Sequence, residues 1–120
     1  MVKKQCEIPA QVSTNFKEGI GDVTLLHFLT EQEALGTGRL FAKTLIEPGN
    51  SIGEHTHQGD MEVYYILSGK ALVYDNGTDV VLESGDCHIC PDGSSHSIQN
   101  VGDNTLEYIA IILYTKQKEV

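Results

Sequence analysis

The chain has 120 residues, 40% of them hydrophobic, which is enough for one domain whose core needs no disulfides. Eight Lys and Arg against 17 Asp and Glu give a formal charge of −9, which argues against nucleic acid or an anionic membrane surface as a partner. Between Thr44 and Thr115 the only base is Lys70, so this stretch forms a solvated acidic surface with some attraction for cations.

The N-terminus, MVKKQCEIPA, lacks the apolar core of a signal peptide. No run approaches the ~18 apolar residues of a membrane helix. Three cysteines make no obvious disulfide framework and favour a reducing compartment. We therefore expect a cytoplasmic protein.

Short β-rich runs alternate with turn signals along the chain. Asn76-Gly77 is the strongest turn, since a two-residue hairpin requires positive φ at both positions. Thr30-Glu-Gln-Glu33 has capping-box spacing and predicts a short helical turn, with a loop as the alternative. Many short strands with almost no helix predict an all-β antiparallel barrel or sandwich. The runs lie at 23–29, 39–46, 62–67, 71–75, 79–83, 87–90, 96–101 and 106–114.

Two of these runs, at 63–67 and 109–114, are apolar on both faces. A small sandwich buries one face of each strand, so something must cover the other face. Either the N-terminal segment or a second subunit would serve. We expect a homodimer.

Five histidines occur in the chain, and two of them form His55-Thr-His57. Residues two apart on an extended strand project to the same face, so both imidazoles can reach one point. Glu62 follows at the head of the next strand, and His96 comes after the turn at Pro91-Asp-Gly93. Three imidazoles and one carboxylate suit Mn, Fe, Ni, Co or Zn, and an octahedral ion would keep two positions open.

The residues around these side chains follow two patterns. Residues 49–69 read Gly-x5-His-x-His-x4-Glu-x6-Gly, and residues 85–100 read Gly-x5-Pro-x-Gly-x2-His-x3-Asn. Position for position, these resemble the two signature motifs of the cupin superfamily. The resemblance implies a single jelly-roll domain over 1–120 that binds one divalent transition metal through His55, His57, Glu62 and His96. Cupins include dioxygenases, decarboxylases, isomerases and proteins that only bind small molecules, so fold alone does not fix the chemistry.

Strand alternation predicts which other side chains face the interior. Tyr64 and Ile66 share the face of Glu62, and Ile98 shares that of His96. Tyr64 is a candidate catalytic residue because it could donate a hydrogen bond to a metal-bound ligand, with barrel packing as its alternative role. Phe41 is a further pocket candidate. It shares a face with Arg39 and Lys43, and alternation leaves open whether that face points inward, although cations are rarely buried.

The remaining cysteines and histidines have simpler interpretations. In Cys87-His-Ile-Cys90, residues three apart on a strand point to opposite faces, so the thiols are not expected to share an ion or pair. His27 and His88 are expected to pack or lie on the surface. Cys6 has no assigned role.

Three functions fit this pattern: a metal-dependent enzyme acting on a small chelating molecule, a non-catalytic metal-dependent binding or sensor module, and a metal-free oligomerisation unit. The ligand should be an α-keto acid, hydroxy acid, dicarboxylate, enediol or sugar-like molecule held chiefly by the metal. Tyr64, Asp60 or a metal-bound hydroxide would supply any acid or base. Nucleotides should bind poorly, since no Gly-rich cradle or cluster of cations is present.

Overall fold

Ten strands form two antiparallel sheets in the computed structural model, which describes residues 1–116. One short helix, α1 (Glu31–Ala34), and two 3-10 turns at Gln5–Glu7 and Phe16–Glu18 accompany them. In chain order the strands are β1 (Ala10–Thr14), β2 (Asp22–His27), β3 (Gly38–Ile46), β4 (Ser51–Thr56), β5 (Asp60–Ser68), β6 (Ala71–Asp75), β7 (Thr78–Leu82), β8 (Cys87–Cys90), β9 (Ser95–Asn100) and β10 (Leu106–Tyr114).

The two sheets enclose the core as a jelly roll. The large sheet has the strand order β1-β2-β3-β10-β5-β8, and the small sheet has the order β4-β9-β6-β7. The chain passes from one sheet to the other between β3 and β4, between β4 and β5, and between β5 and β6. Such crossings bring strands that are close in sequence to opposite walls of one interior. The all-β prediction is confirmed.

Alternation along each strand separates the core from the surface. On β5 the buried residues are Asp60, Glu62, Tyr64 and Ile66, and on β10 they are every second residue from Leu106 to Ile112. Two antiparallel walls built this way interdigitate their inward side chains. The largest apolar side chains with no more than 1% exposure are Tyr64, Tyr108, Ile46, Ile66, Ile98 and Leu106.

Two local predictions are confirmed. The β6–β7 hairpin turns at Asn76 (φ 46°) and Gly77 (φ 107°), both in the left-handed region. At the start of α1, Glu33 N–H donates to Thr30 Oγ1 (3.1 Å) and Thr30 N–H donates to Glu33 Oε1 (2.8 Å). The capping box therefore forms as its spacing indicates.

The outer face of the large sheet carries an apolar row. Phe41 pairs with Ile111, Ile111 with Val63, and Val63 with Ile89, across β3, β10, β5 and β8. Phe41 is 37% exposed and Ile89 is 53% exposed. The N-terminal segment does not cover this outer row, because β1 pairs with β2 at the sheet edge instead. The sequence allowed either the N-terminal segment or a second subunit to cover the outer face. Within the described residues, the N-terminal segment does not do so.

The helices of residues 1–116 include none that is long and apolar enough to cross a membrane.

Candidate metal centre

Four side chains from both sheets converge in the interior. His55 lies on β4, directly opposite its register partner His96 on β9, and Glu62 projects inward from β5. His57 follows β4 and stays extended because its N–H donates to Ser94 O and its C=O accepts from Gly93 N–H. We call His55, His57, Glu62 and His96 the donor cluster. The structure brings together all four ligands that the sequence predicted.

The spacing of the donor atoms fits a bound cation. His96 Nε2 lies 3.0 Å from the Nε2 atoms of both His55 and His57, and 3.0 Å from Glu62 Oε1. One ring nitrogen carries at most one hydrogen, so hydrogen bonds cannot satisfy three such neighbours. A cation about 2.1 Å from two donors that meet at a right angle holds them about 3.0 Å apart. The donor cluster therefore has the chemistry and the spacing of a transition-metal site.

The outer nitrogens of the three imidazoles are also held in place. When the Nε2 atoms bind a cation, each Nδ1 carries the proton. His55 Nδ1 then donates to Gly53 O (2.8 Å), and His57 Nδ1 donates to Asp60 Oδ1 (2.7 Å). His96 Nδ1 lies 3.1 Å from His88 Nε2, which accepts. Such partners fix the tautomer and the ring orientation of a metal-binding histidine.

Two of these partners were not identified as such from the sequence. His88 is buried, in agreement with a packing role, and it also contacts His96. Asp60 was one of three candidates for an acid or base, and its side chain lies between His57 and Arg39, bound to both. The signal for both was alternation, because His88 and Asp60 fall on the inward faces of β8 and β5. Alternation could not show which side chains His88 and Asp60 would contact.

Burial and the cluster itself set the protonation states. Burial alone would raise the pKa of Glu62, but hydrogen bonds from His55, His57 and His96 outweigh it and hold that pKa well below its usual range. The Glu62 hydrogen bond raises the pKa of His57. Burial lowers the pKa of His96 and of His88. Glu62 thus offers a carboxylate and His96 a neutral imidazole, the forms that bind metal.

Three members of the donor cluster, His55, His57 and Glu62, line a cavity of about 230 Å³, and the fully buried His96 contacts all three. The wall near the cluster includes Tyr64, Thr44 and Tyr108, and Lys17, Arg39 and Glu31 bring charges to the same cavity. Tyr64 stacks on the His96 ring at 5.0 Å with an interplanar angle of 11°, and its hydroxyl lies 3.5 Å from His96 Nε2. Burial raises the pKa of Tyr64 well above its ordinary value, so its hydroxyl stays protonated.

Three other candidates for the pocket lie elsewhere. Ile66 and Ile98 face inward as alternation indicated, but both are fully buried in the apolar core and do not line the cavity. The part of the interior around Ile66 and Ile98 is filled by packed side chains, so the cavity does not extend to these two residues. Phe41 faces outward and packs edge-on against Phe28 with ring centroids 5.6 Å apart. Phe41 was a pocket candidate, but it does not line the cavity beside the donor cluster.

The two cations of β3 differ in their positions. Lys43 lies on the outer face and pairs with Glu107 (3.3 Å). Ile112 pairs with Leu40 and Leu113 with Gly38, so Arg39 is the extra residue of a β-bulge. A bulge redirects the side chain it carries. Arg39 remains exposed, as expected for a cation, with 43% of its side chain accessible; it also lines the cavity, where its Nε donates to Asp60 Oδ2 (2.8 Å).

The Cys87-His-Ile-Cys90 segment behaves as alternation predicted. Cys87 is exposed and Cys90 is buried, so the thiols lie on opposite faces of β8. Burial raises the pKa of the Cys90 thiol to about 11. The donor atoms of His88, Cys90 and His96 are close enough to share an ion. A hydrogen bond between His88 and His96 explains their short distance without an ion.

Fold and site together define a class: a small jelly-roll barrel with a cluster of three histidines and one glutamate that could hold a metal. The model of the Cupin domain family matches residues 42–112. The chain belongs to the cupin family, as the two motifs indicated.

Proteins from Thermotoga maritima resemble this chain over nearly its whole length. An oxalate-binding protein is 40% identical over 113 residues, covering 94% of this chain and 93% of that protein. A crystal structure described as a predicted oxalate decarboxylase superposes with a TM-score of 0.90 at 39% identity, covering 95% of this chain and 99% of the other. The Cnp3 cupin domain of Schizosaccharomyces pombe shares the fold alone, at a TM-score of 0.67 and 17% identity over 87% of this chain and 68% of that one.

Proposed function

We propose that this protein binds oxalate, or a small dicarboxylate of the same chelating type, through one divalent transition metal held by the donor cluster. The observation that carries the proposal is the convergence of four side chains that could hold a metal ion, three of which line an open cavity. The 40% identity to an oxalate-binding protein over nearly the full length of both chains supports the choice of ligand.

Charge balance favours an anionic ligand. Neutral imidazoles contribute no charge and Glu62 contributes one negative charge, so a divalent cation in the donor cluster keeps a net positive charge. Four protein ligands leave two positions of an octahedral ion for a ligand, and oxalate offers two oxygens in a five-membered chelate. The metal would supply Lewis acidity and this charge. The chain itself supplies the shape and polarity around it.

Tyr64 has a defined role in this proposal. Its hydroxyl lies 3.5 Å from His96 Nε2 and remains a donor because burial raises its pKa. A protonated phenol beside the donor cluster can donate a hydrogen bond to an oxygen of the ligand. We assign Tyr64 to ligand binding rather than to proton transfer.

Calorimetric titration tests the function directly. We expect metal-loaded protein to bind oxalate at least about tenfold more tightly than succinate, whose chelate ring is larger and looser. Metal-free protein should bind neither acid measurably. Equal affinity for oxalate with and without metal would show that the metal is not the anchor and would defeat the proposal.

Oxalate decarboxylation is a second candidate, favoured by the likeness to the structure described as a predicted oxalate decarboxylase. Hydrogen oxalate would lose its C–C bond and give carbon dioxide and formate. Incubation of metal-loaded protein with carbon-13 oxalate would show labelled formate by NMR. Binding without formate under air and under nitrogen would leave the non-catalytic function as the correct one.

We also propose that the chain forms a homodimer through the outer row, Phe41, Ile111, Val63 and Ile89. We expect the wild type to sediment at twice the chain mass at micromolar concentration and Ile89→Asp to sediment as a monomer, because a carboxylate there would be buried against apolar groups. Val101→Asp changes an apolar residue of similar exposure outside the row and should leave the dimer intact. A monomeric wild type would refute the dimer.

A further inference from the structure

We propose that Arg39 is a specificity-determining residue that binds the ligand oxygens the metal does not hold, and so selects doubly charged acids. This inference rests on the proposed function and assigns one recognition element within it. The bulge on β3, the hydrogen bond to Asp60 and the lining of the cavity carry the argument.

The first step is the direction of the side chain. Arg39 is the extra residue in the β3–β10 pairing, so the regular alternation of β3 is interrupted there, and its exposed side chain reaches both the outer face near Phe41 and the cavity. Its side chain lines the same cavity as the donor cluster. A regular strand would have placed it beside Lys43 outside.

The second step is how the guanidinium is anchored. Its Nε donates to Asp60 Oδ2 at 2.8 Å, and the other oxygen of Asp60 accepts from His57 Nδ1 at 2.7 Å. The Asp60 side chain is only 8% exposed, so this carboxylate cannot move without leaving His57. Arg39 is therefore fixed in relation to a metal-binding residue, and a fixed donor loses little entropy on binding.

The third step is what remains unused. A guanidinium has five N–H donors, and within residues 1–116 only that of Nε has a hydrogen-bond partner. The Arg39 side chain is 43% exposed, so its terminal amino groups stay open to the cavity and solvent. Paired N–H groups of this kind match the two oxygens of a carboxylate.

The charged side chains around the cavity bear on the same choice of ligand. Among residues 1–116, the cationic side chains in the cavity wall are Lys17 and Arg39, and the carboxylates there are Glu31 and Glu62. Asp60 is not part of the cavity wall, because it lies behind His57. Asp60 already offsets much of the Arg39 charge, so the preference comes from the free N–H groups of Arg39, which can donate to a carboxylate that faces away from the metal but find no acceptor on a neutral-bodied chelator.

The test compares two small chelators on protein loaded with Co²⁺, whose visible spectrum reports the donor set independently. Oxalate binds metal through two oxygens and keeps two more oxygens facing outward, whereas acetohydroxamate chelates through two oxygens and has a methyl group instead. We expect Arg39→Gln to weaken oxalate by about 10- to 100-fold and acetohydroxamate by less than about threefold. Arg39→Lys keeps the positive charge but loses the paired N–H groups, so its oxalate affinity should lie between those of the wild type and Arg39→Gln.

Lys43→Gln is the matched control, because it removes the same charge from the outer face of the same strand. It should change neither affinity. Cobalt content, the cobalt spectrum and the melting midpoint establish that each variant keeps its fold and metal. In Arg39→Gln the introduced side-chain amide can still donate to Asp60, so this buried carboxylate keeps a partner.

The outcomes separate the two proposals. If Arg39→Gln weakens both chelators equally, Arg39 acts only by holding Asp60 and His57, and the inference is overturned. An unchanged oxalate affinity overturns it as well, while leaving metal-dependent oxalate binding intact. If the wild type binds acetohydroxamate but not oxalate, the proposed function itself fails.

Discussion

His96→Ala should weaken divalent metal binding by at least about 100-fold, because even the loss of a partner that only orients a ligand typically costs 10- to 100-fold. His96 Nε2 is 3.0 Å from each of the three other donor atoms and is thus central to the donor cluster. At a free metal concentration near 100 times the dissociation constant, binding stabilises the wild type by about 2.7 kcal/mol. For a chain of this length that corresponds to a shift of roughly 10 °C in melting temperature, and the variant should lose it.

The measurement is the melting midpoint with and without metal, together with metal analysis of protein purified without added metal. The difference between the two midpoints is compared, because the variant also loses the stacking of His96 on Tyr64. His27→Ala removes another imidazole from the same cavity wall and should keep the full metal-induced shift. A wild type that contains no metal and shows no shift on addition would refute the metal centre.

Gly53→Ala should destabilise the fold by about 3 kcal/mol, at the upper end of the usual cost of overpacking. A Cβ at Gly53 would lie 1.9 Å from Lys17 O and 2.9 Å from Lys17 C, both backbone atoms. The Phe16–Glu18 turn would have to move off β4. The same turn brings Phe16 and Lys17 to the cavity, and Gly53 O orients His55, so oxalate affinity should fall together with stability.

Urea unfolding of metal-free protein measures the first effect, and calorimetry of metal-loaded protein measures the second. Gly59→Ala is the control, since its Cβ would meet nothing within 4 Å and only its φ of 81° is unfavourable, at a cost of about 1 kcal/mol. If Gly53→Ala were no more destabilising than Gly59→Ala, the close contact between the turn and β4 would not exist in solution.

The four residues of the donor cluster could be predicted because residue types and their spacing in the sequence identify them. His55 and His57 share a side of the chain by strand geometry, and Glu62 and His96 fall at motif positions within the range that the family model matches. The hairpin at Asn76-Gly77 and the capping box at Thr30 were predictable for the same reason. Their energetics involve only neighbouring residues, so no distant part of the chain can override them.

What surrounds the metal centre depended on contacts between distant strands. Alternation placed Ile66 and Ile98 inside but could not tell a packed core from an open cavity, because both are interior. It also grouped Arg39 with Lys43 on one face, since a bulge is a mismatch between two strands and leaves no trace in one of them. The sequence by itself determined the fold class and the four donors. Only the tertiary structure decided that His88 contacts His96, that Asp60 contacts His57 and that Arg39 reaches the cavity, because the first and last of these depend on how different strands meet and the second on the turn between β4 and β5.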